Sequence, residues 1–134
     1  MEAERFANEG PGMKQSVSTS PINSILFIED RPTSNIPVVD PPTAPAWATP
    51  DCIIIKAYPE QDGPTDVLLG DHTDVDPGRP PDFTSMLRTP GRRVLVRDAL
   101  DQAVITMPSD RDLTRIAIWL SHPEWPEKVI IGLD

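Results

Sequence analysis

Apolar and polar residues alternate along this chain in short runs, and the clearest of them fall in its last third. Arg93-Val94-Leu95-Val96-Arg97, Ala103-Val104-Ile105-Thr106-Met107 and Arg115-Ile116-Ala117-Ile118-Trp119-Leu120 are rich in β-branched and aromatic residues, and Val129-Ile130-Ile131-Gly132-Leu133 follows them. Asp, Pro, Ser or Gly bounds each run, which is the punctuation of strands. Upstream, Ser24-Ile25-Leu26-Phe27-Ile28-Glu29 and Cys52-Ile53-Ile54-Ile55-Lys56-Ala57-Tyr58 are continuously apolar at their centres, as in strands buried on both faces. The Asp62-Gly63 dipeptide after the second of these signals a tight turn, and residues 65–69 then read as the returning arm of a hairpin. Residues 83–87 read as one helical turn, capped by Asp82, with Met86 and Leu87 turned inward. Seven or eight short strands at this spacing predict an all-β fold: a single antiparallel β-sandwich over residues 24–134, with Greek-key or jelly-roll-like connections.

Residues 30–50 interrupt the pattern with prolines at 32, 37, 41, 42, 45 and 50. Proline fixes φ and has no N–H to give a ladder, so this extended Pro-rich segment is excluded from the centre of a sheet. Residues 36–39 are a candidate edge strand, and Trp47 is placed to anchor the segment to the body. Residues 1–23 are polar, rich in Ser, Gly and Asn, and aperiodic; they are expected to be a disordered or loosely attached tail. Strand alternation also gives the sandwich an inside. Ile116, Ile118 and Leu120 share one face, as do Val129, Ile131 and Leu133, while Ala117 and Trp119 point the other way, under a loop or toward a partner.

Composition sharpens this reading. A chain of 134 residues fits one domain. Proline supplies 17 of them, more than twice its ~5% average share, which works against long helices. The net charge is −9 and it is lopsided: residues 1–78 hold thirteen acids and four bases, whereas residues 79–134 hold eight of each. An acidic surface repels phosphate, so a direct nucleic-acid partner is excluded and a basic protein partner is favoured. Nothing resembles a membrane span or a secretory signal, and a cytoplasmic protein is expected. Cys52, alone among aliphatic neighbours, is expected to be a buried small hydrophobe.

Motifs for chemistry are sparse. Residues 70–76 cluster oxygen donors, but an EF-hand read from His72 meets Pro77 where glycine is needed and Phe83 where the bidentate glutamate is needed. One Cys and two His lack zinc spacing, so no metal and no cofactor is expected. Ser121-His122-Pro123 stands where ordinary turn residues stand, and no nucleophile elbow is present. Arg93, Leu95 and Arg97 share a strand face; their guanidinium groups either pair internally with Asp98, Asp101, Asp110 or Asp112, or bind an anion.

An early apolar strand ending in acids (Ile25-Leu26-Phe27-Ile28-Glu29-Asp30) is followed by Trp47 ahead of the next strand. A Pro-led strand (Thr89-Pro90-Gly91-Arg92-Arg93-Val94-Leu95-Val96) and Pro108 come later. This layout resembles the competence-J family, small bacterial proteins whose best-known activity is inhibition of a DNA-uptake nuclease. The Ser121-His122-Pro123-Glu124-Trp125-Pro126 loop departs from that family. The resemblance implies a protein-binding inhibitor and assigns a role to no individual residue.

Two function classes follow. The first is a non-enzymatic acidic module that binds a basic protein, as an immunity or inhibitor protein for a nuclease or toxin. Its contacts would be Asp62, Asp66, Asp71, Asp74 and Asp76, with Trp47 or Trp125 as aromatic anchor. The second is a jelly-roll-like enzyme or small-ligand module that uses the face bearing Arg93 and Arg97. A structural subunit of a larger assembly is the remaining alternative. If Ile118 faces the core, Ile118→Asp buries an unpaired carboxylate and the domain unfolds. Circular dichroism of that variant should show no cooperative melt, and a native-like melt would refute the assignment.

Overall fold

The computed structural model describes residues 13–134. In chain order the strands are β1 (Lys14–Thr19), β2 (Ile25–Glu29), β3 (Ala46–Thr49), β4 (Cys52–Lys56), β5 (Thr65–Asp71), β6 (Phe83–Arg88), β7 (Arg93–Arg97), β8 (Ala103–Pro108), β9 (Leu113–Leu120) and β10 (Lys128–Leu133). A single helical turn, α1 (His72–Val75), lies between β5 and β6. The strands make two five-stranded sheets, ordered β1-β5-β10-β9-β6 and β3-β4-β2-β7-β8. The all-β sandwich is therefore observed. Every pairing is antiparallel except β5 with β10, which run parallel with Val129 opposite Val67.

The core forms where the two inner faces meet. Val67, Leu69, Ile116, Ile118 and Ile131 of the first sheet face Leu26, Ile28, Ile53, Ile55 and Val96 of the second, all fully buried. The alternation in β9 and β10 selects this face, as expected. Side by side, the sheets also touch at their rims: Gln15 Nε2 donates to Thr106 O at 3.1 Å, and Arg88 N donates to Pro50 O at 2.8 Å.

Several local expectations are corrected. The expected loose tail includes a strand, because residues 14–19 pair in full register along β5; residues 1–12 of that expectation lie outside the described residues. Residues 52–58 and 65–69 are not two arms of one hairpin, since β4 and β5 belong to different sheets. The reason is Gly63-Pro64: Gly63 adopts φ +144°, Pro64 offers no N–H, and Thr65 Oγ1 accepts from Tyr58 N, so the chain crosses over. Residues 83–87 are strand rather than helix. Pro80 and Pro81 extend the backbone ahead of them, Leu87 faces inward with half-buried Phe83 and Ser85, and Asp82 clasps Leu120 N at 2.7 Å instead of capping a helix. The edge strand next to β4 is Ala46–Thr49; residues 36–39 have no strand pairing.

Both outer faces are partly covered. On the first sheet Gly70 and Gly132 stand opposite each other, and the flat shelf they leave receives α1. Val75 packs there with Ala117 and Trp119, His72 meets the Trp119 ring edge-on at 5.2 Å, and Trp119 Nε1 donates to Arg79 O at 2.7 Å. Trp119 thus lies under a loop. On the second sheet the Pro-rich segment is tied down by Trp47 Nε1 to Pro41 O (2.9 Å), Thr49 Oγ1 to Asn35 O (2.7 Å) and Asn35 Nδ2 to Asp51 (3.0 Å). The outward-facing Cys52 and Ile54 are buried as a result.

Two outcomes are expected from this packing. A Cβ at Gly70 would stand 2.7 Å from Lys14 Cβ and 2.8 Å from Met13 O. Gly70→Ala should therefore lower stability by about 1–3 kcal/mol in urea titrations, with earlier exposure of Trp119 fluorescence. An unchanged midpoint would contradict the tight shelf. Burial, with Glu29 and Asp51 nearby, pushes the Cys52 thiol up to about 12. Since an unfolded thiol titrates near ~8.5, this group's contribution to stability is complete below that pH and is lost as pH rises toward the folded value. Folded protein at pH ~8 should leave Ellman's reagent unreacted until urea is added, whereas rapid reaction in buffer would mean an accessible thiolate.

Candidate functional site

Among the described residues, cations concentrate on the arginine face of residues 88–97. Arg97 donates through Nε to Glu29 Oε2 at 2.7 Å and lies 4.1 Å above the Phe27 ring, with Asp101 Oδ1 at 3.2 Å from Nη1. Glu29 is fully buried, and β2 neighbours β7, which puts Phe27 opposite Arg97. Arg93 Nε donates to Asp30 O at 2.7 Å, and the buried Asp30 carboxylate accepts from Gly91 N and Arg93 N at 2.9 and 3.1 Å. Around them Arg88 makes a two-pronged pair with Asp51 (2.8 and 2.9 Å), and Arg92 donates to Asp110 O. The Arg88 contact, with Asn35 second, holds the Asp51 carboxyl below its usual range.

Internal pairing is what the arginines do, although the partners differ from those expected. Asp101 pairs with Arg97; Asp98 and Asp110 contribute only backbone carbonyls to arginines, and the Asp98 carboxylate instead accepts Leu100 N and Gln102 N. Glu29 is the partner that sequence reasoning missed. An anion at Arg97 would have to displace a carboxylate sealed from water, so Arg97 is a poor anion site.

The five predicted carboxylates do not form one patch. Asp71, Asp74 and Asp76 gather around α1, and Asp71 lines a cavity of about 500 Å³ together with Asp110, Arg111 and Asp134. Burial, then Asp74 and Asp110, pushes the Asp71 carboxyl above its usual range. Asp76 accepts Gly78 N at 2.8 Å and lies 3.6 Å from His72 Nε2. Asp62 and Asp66 are at the other end of β5, in a different company. Asp66 stands opposite Lys128 and donates its N–H to Glu127 O, while Glu127 hydrogen-bonds the Tyr58 phenol and raises its proton affinity. Asp62 lies on the short 3₁₀ turn with Glu60. Five residue steps along β5 separate Asp66 from Asp71, about 17 Å at ~3.3 Å per residue.

The tryptophans also divide. Trp47 is 7% exposed and fastens the Pro-rich segment, with Lys56 Nζ 5.9 Å from its ring. It is thus withdrawn from partner contact, because its indole is spent inside. Trp125 is 54% exposed and stacks on His122 at 5.6 Å and 23°. Ser121 Oγ accepts Lys128 N, and His122 Nδ1 accepts Glu124 N and Trp125 N at 3.0 and 3.1 Å, so both side chains are used in closing the turn. His122, Glu60 and Glu127 were not singled out in the sequence as contacts; the Pro-flanked Trp125 was the available signal. Among the described residues, no group of three or more His, Cys, Asp or Glu side chains is arranged to hold a metal, and no helix is long and apolar enough to cross a membrane.

No family model and no curated protein matches this chain. Its fold is similar to the crystal structure of ComJ, inhibitor of the DNA-degrading activity of NucA, from Bacillus subtilis. The TM-score is 0.63 at 9% identity, over 89% of this chain and 93% of that one. A second solved structure, described as crocagin biosynthetic gene J, covers 90% of this chain and 94% of its own at 11% identity, with a TM-score of 0.43 that carries no argument. The resemblance to the competence-J layout is thus a likeness of fold.

Proposed function

We propose that this chain is a non-enzymatic binding module for a basic protein, acting as an inhibitor or immunity protein for a nuclease or toxin. The observation that carries this reading is the disposition of charge. The arginines of β6 to β8 are folded into internal contacts, while carboxylates stand at both ends of the sandwich. Such a surface offers a cationic partner what phosphate offers a nuclease, and it accelerates encounter by attraction at a distance. ComJ supports the class, since a chain with this fold inhibits a nuclease. Ser121 and His122, the nearest approach to a nucleophile and base, are occupied within their turn. The contacting groups are Asp62, Asp66, Asp71, Asp74, Asp76 and Trp125, in a cytoplasmic protein that needs no cofactor and no direct nucleic acid.

The test is affinity capture from the source organism, followed by assay of the purified captured protein. A basic protein should be recovered, and its nuclease or toxin activity should fall as this chain is titrated in. Replacing Asp71, Asp74 and Asp76 together by Lys should weaken that complex by about tenfold or more, ~1.4 kcal/mol, and make its salt dependence shallower. Affinity that is indifferent both to salt and to the triple replacement would remove the reading.

A further inference from the structure

The turn at residues 121–127 combines three features around Trp125. Trp125 is the most exposed indole, its ring is held by stacking on His122, and His122 holds the turn through Nδ1 alone. We propose that this turn is the recognition element for a cationic protein segment, and that protonation of His122 withdraws it. The proposal rests on the reading of the chain as a binder of basic proteins and names the place and regulation of that binding.

Consider what holds Trp125 out. Two backbone N–H groups, of Glu124 and Trp125, converge on the His122 Nδ1 lone pair. That requires a neutral imidazole with its hydrogen on Nε2. A proton on Nδ1 turns the acceptor into a donor facing two donors. Both hydrogen bonds are lost at once, and the stacked ring that positions the indole is freed with them.

The surroundings specify the partner's charge. Glu124 and Glu127 belong to the turn itself; Asp66 from β5 meets it through its N–H to Glu127 O, and Tyr58 through its phenol to Glu127. The cations beside it are Lys56 of β4, which lies 3.9 Å from Glu124 and near the Trp47 ring, and Lys128 of β10, opposite Asp66. An exposed indole in a turn that also carries Glu124 and Glu127 suits a lysine or arginine side chain, which stacks on the ring while the acids of the turn take its charge. Protonated His122 would then add repulsion to the loss of shape.

The measurement is two-dimensional ¹⁵N NMR of the full chain with a lysine decamer as probe, at about pH 7.5 and pH 5.5, on either side of the ordinary histidine range. Without probe, the Glu124 and Trp125 amides and the Trp125 indole should move together with the His122 ring titration. In His122→Asn, whose Oδ1 takes the same acceptor position without titrating, they should stay still. With probe at pH 7.5, saturable shifts should centre on residues 58–66 and 121–127. Wild-type affinity should fall about tenfold at pH 5.5, while His122→Asn changes less than about twofold and Trp125→Ala is weakened about fivefold at both. Shifts confined to residues 71–76 with Trp125 unmoved would overturn the assignment and leave the acidic-binder reading standing. No shift anywhere at millimolar probe would remove both. Amides of 124 and 125 that ignore the His122 titration would overturn the switch whatever the decamer does.

Discussion

Two adjacent carboxylates, Glu29 and Asp30, are sealed inside this molecule, and the second sheet is arranged to receive them. An ion buried without partners costs several kcal/mol even after relaxation, so a sequence that places two in a row at the end of β2 must supply both countercharge and donors. Arg97 meets Glu29 across the β2–β7 register, and the backbone N–H groups of Gly91 and Arg93 close on Asp30. Gly91 is needed for this closure, since a Cβ there would stand 2.8 Å from Asp30 Oδ2. The Pro-rich segment begins immediately after these acids and is fastened by Asn35, Pro41 and Trp47, which keeps water from the face they occupy.

That constraint explains the charge pattern better than a partner for the arginines would. Acids and bases balance in the C-terminal half, and two of its arginines are the countercharge of upstream acids: Arg97 of the buried Glu29, and Arg88 of the part-exposed Asp51. Arg88 and Arg97 are engaged with acids of their own chain, so the arginine strand and the aspartate-rich segment, adjacent in sequence, do not form one bipolar site.

The strands themselves were legible because their signal is local. β-branched runs with alternation at Arg93–Arg97 and Leu113–Leu120 decide their state and their buried face within a few residues. Pairing was less so. Lys14–Thr19 carries little apolar character and becomes a strand only because β5 offers it a full edge, six residues in register. The Asp62-Gly63 signal was real as a turn, yet Pro64 made it a crossing between sheets. Glu29 was missed as Arg97's partner because 68 residues separate them, and only the sheet order brings them together. The candidate contacts Asp62, Asp66, Asp71, Asp74 and Asp76 can be named from the sequence as residue types, while their division between two ends is set by the direction of β5. Trp47 and Trp125 look alike in a sequence, both within two residues of a proline; one has a carbonyl waiting for its indole and the other has a histidine beneath its ring.

This division gives the two acidic ends different physical roles. About 17 Å of strand separates them, roughly two screening lengths of ~8 Å at physiological salt, so charge at one end acts on a partner bound at the other only weakly and only through the long-range field. The end around α1 has carboxylates but its aromatic, Trp119, lies under the turn. It can attract and orient, and it has little apolar surface with which to hold. The end around residues 121–127 has an indole in solvent and acids beside it, and binding energy in protein interfaces concentrates on buried aromatic anchors of that kind. On the proposed reading, attraction at one end would govern how often partners meet, and the lifetime of a complex would be decided where Trp125 can be desolvated.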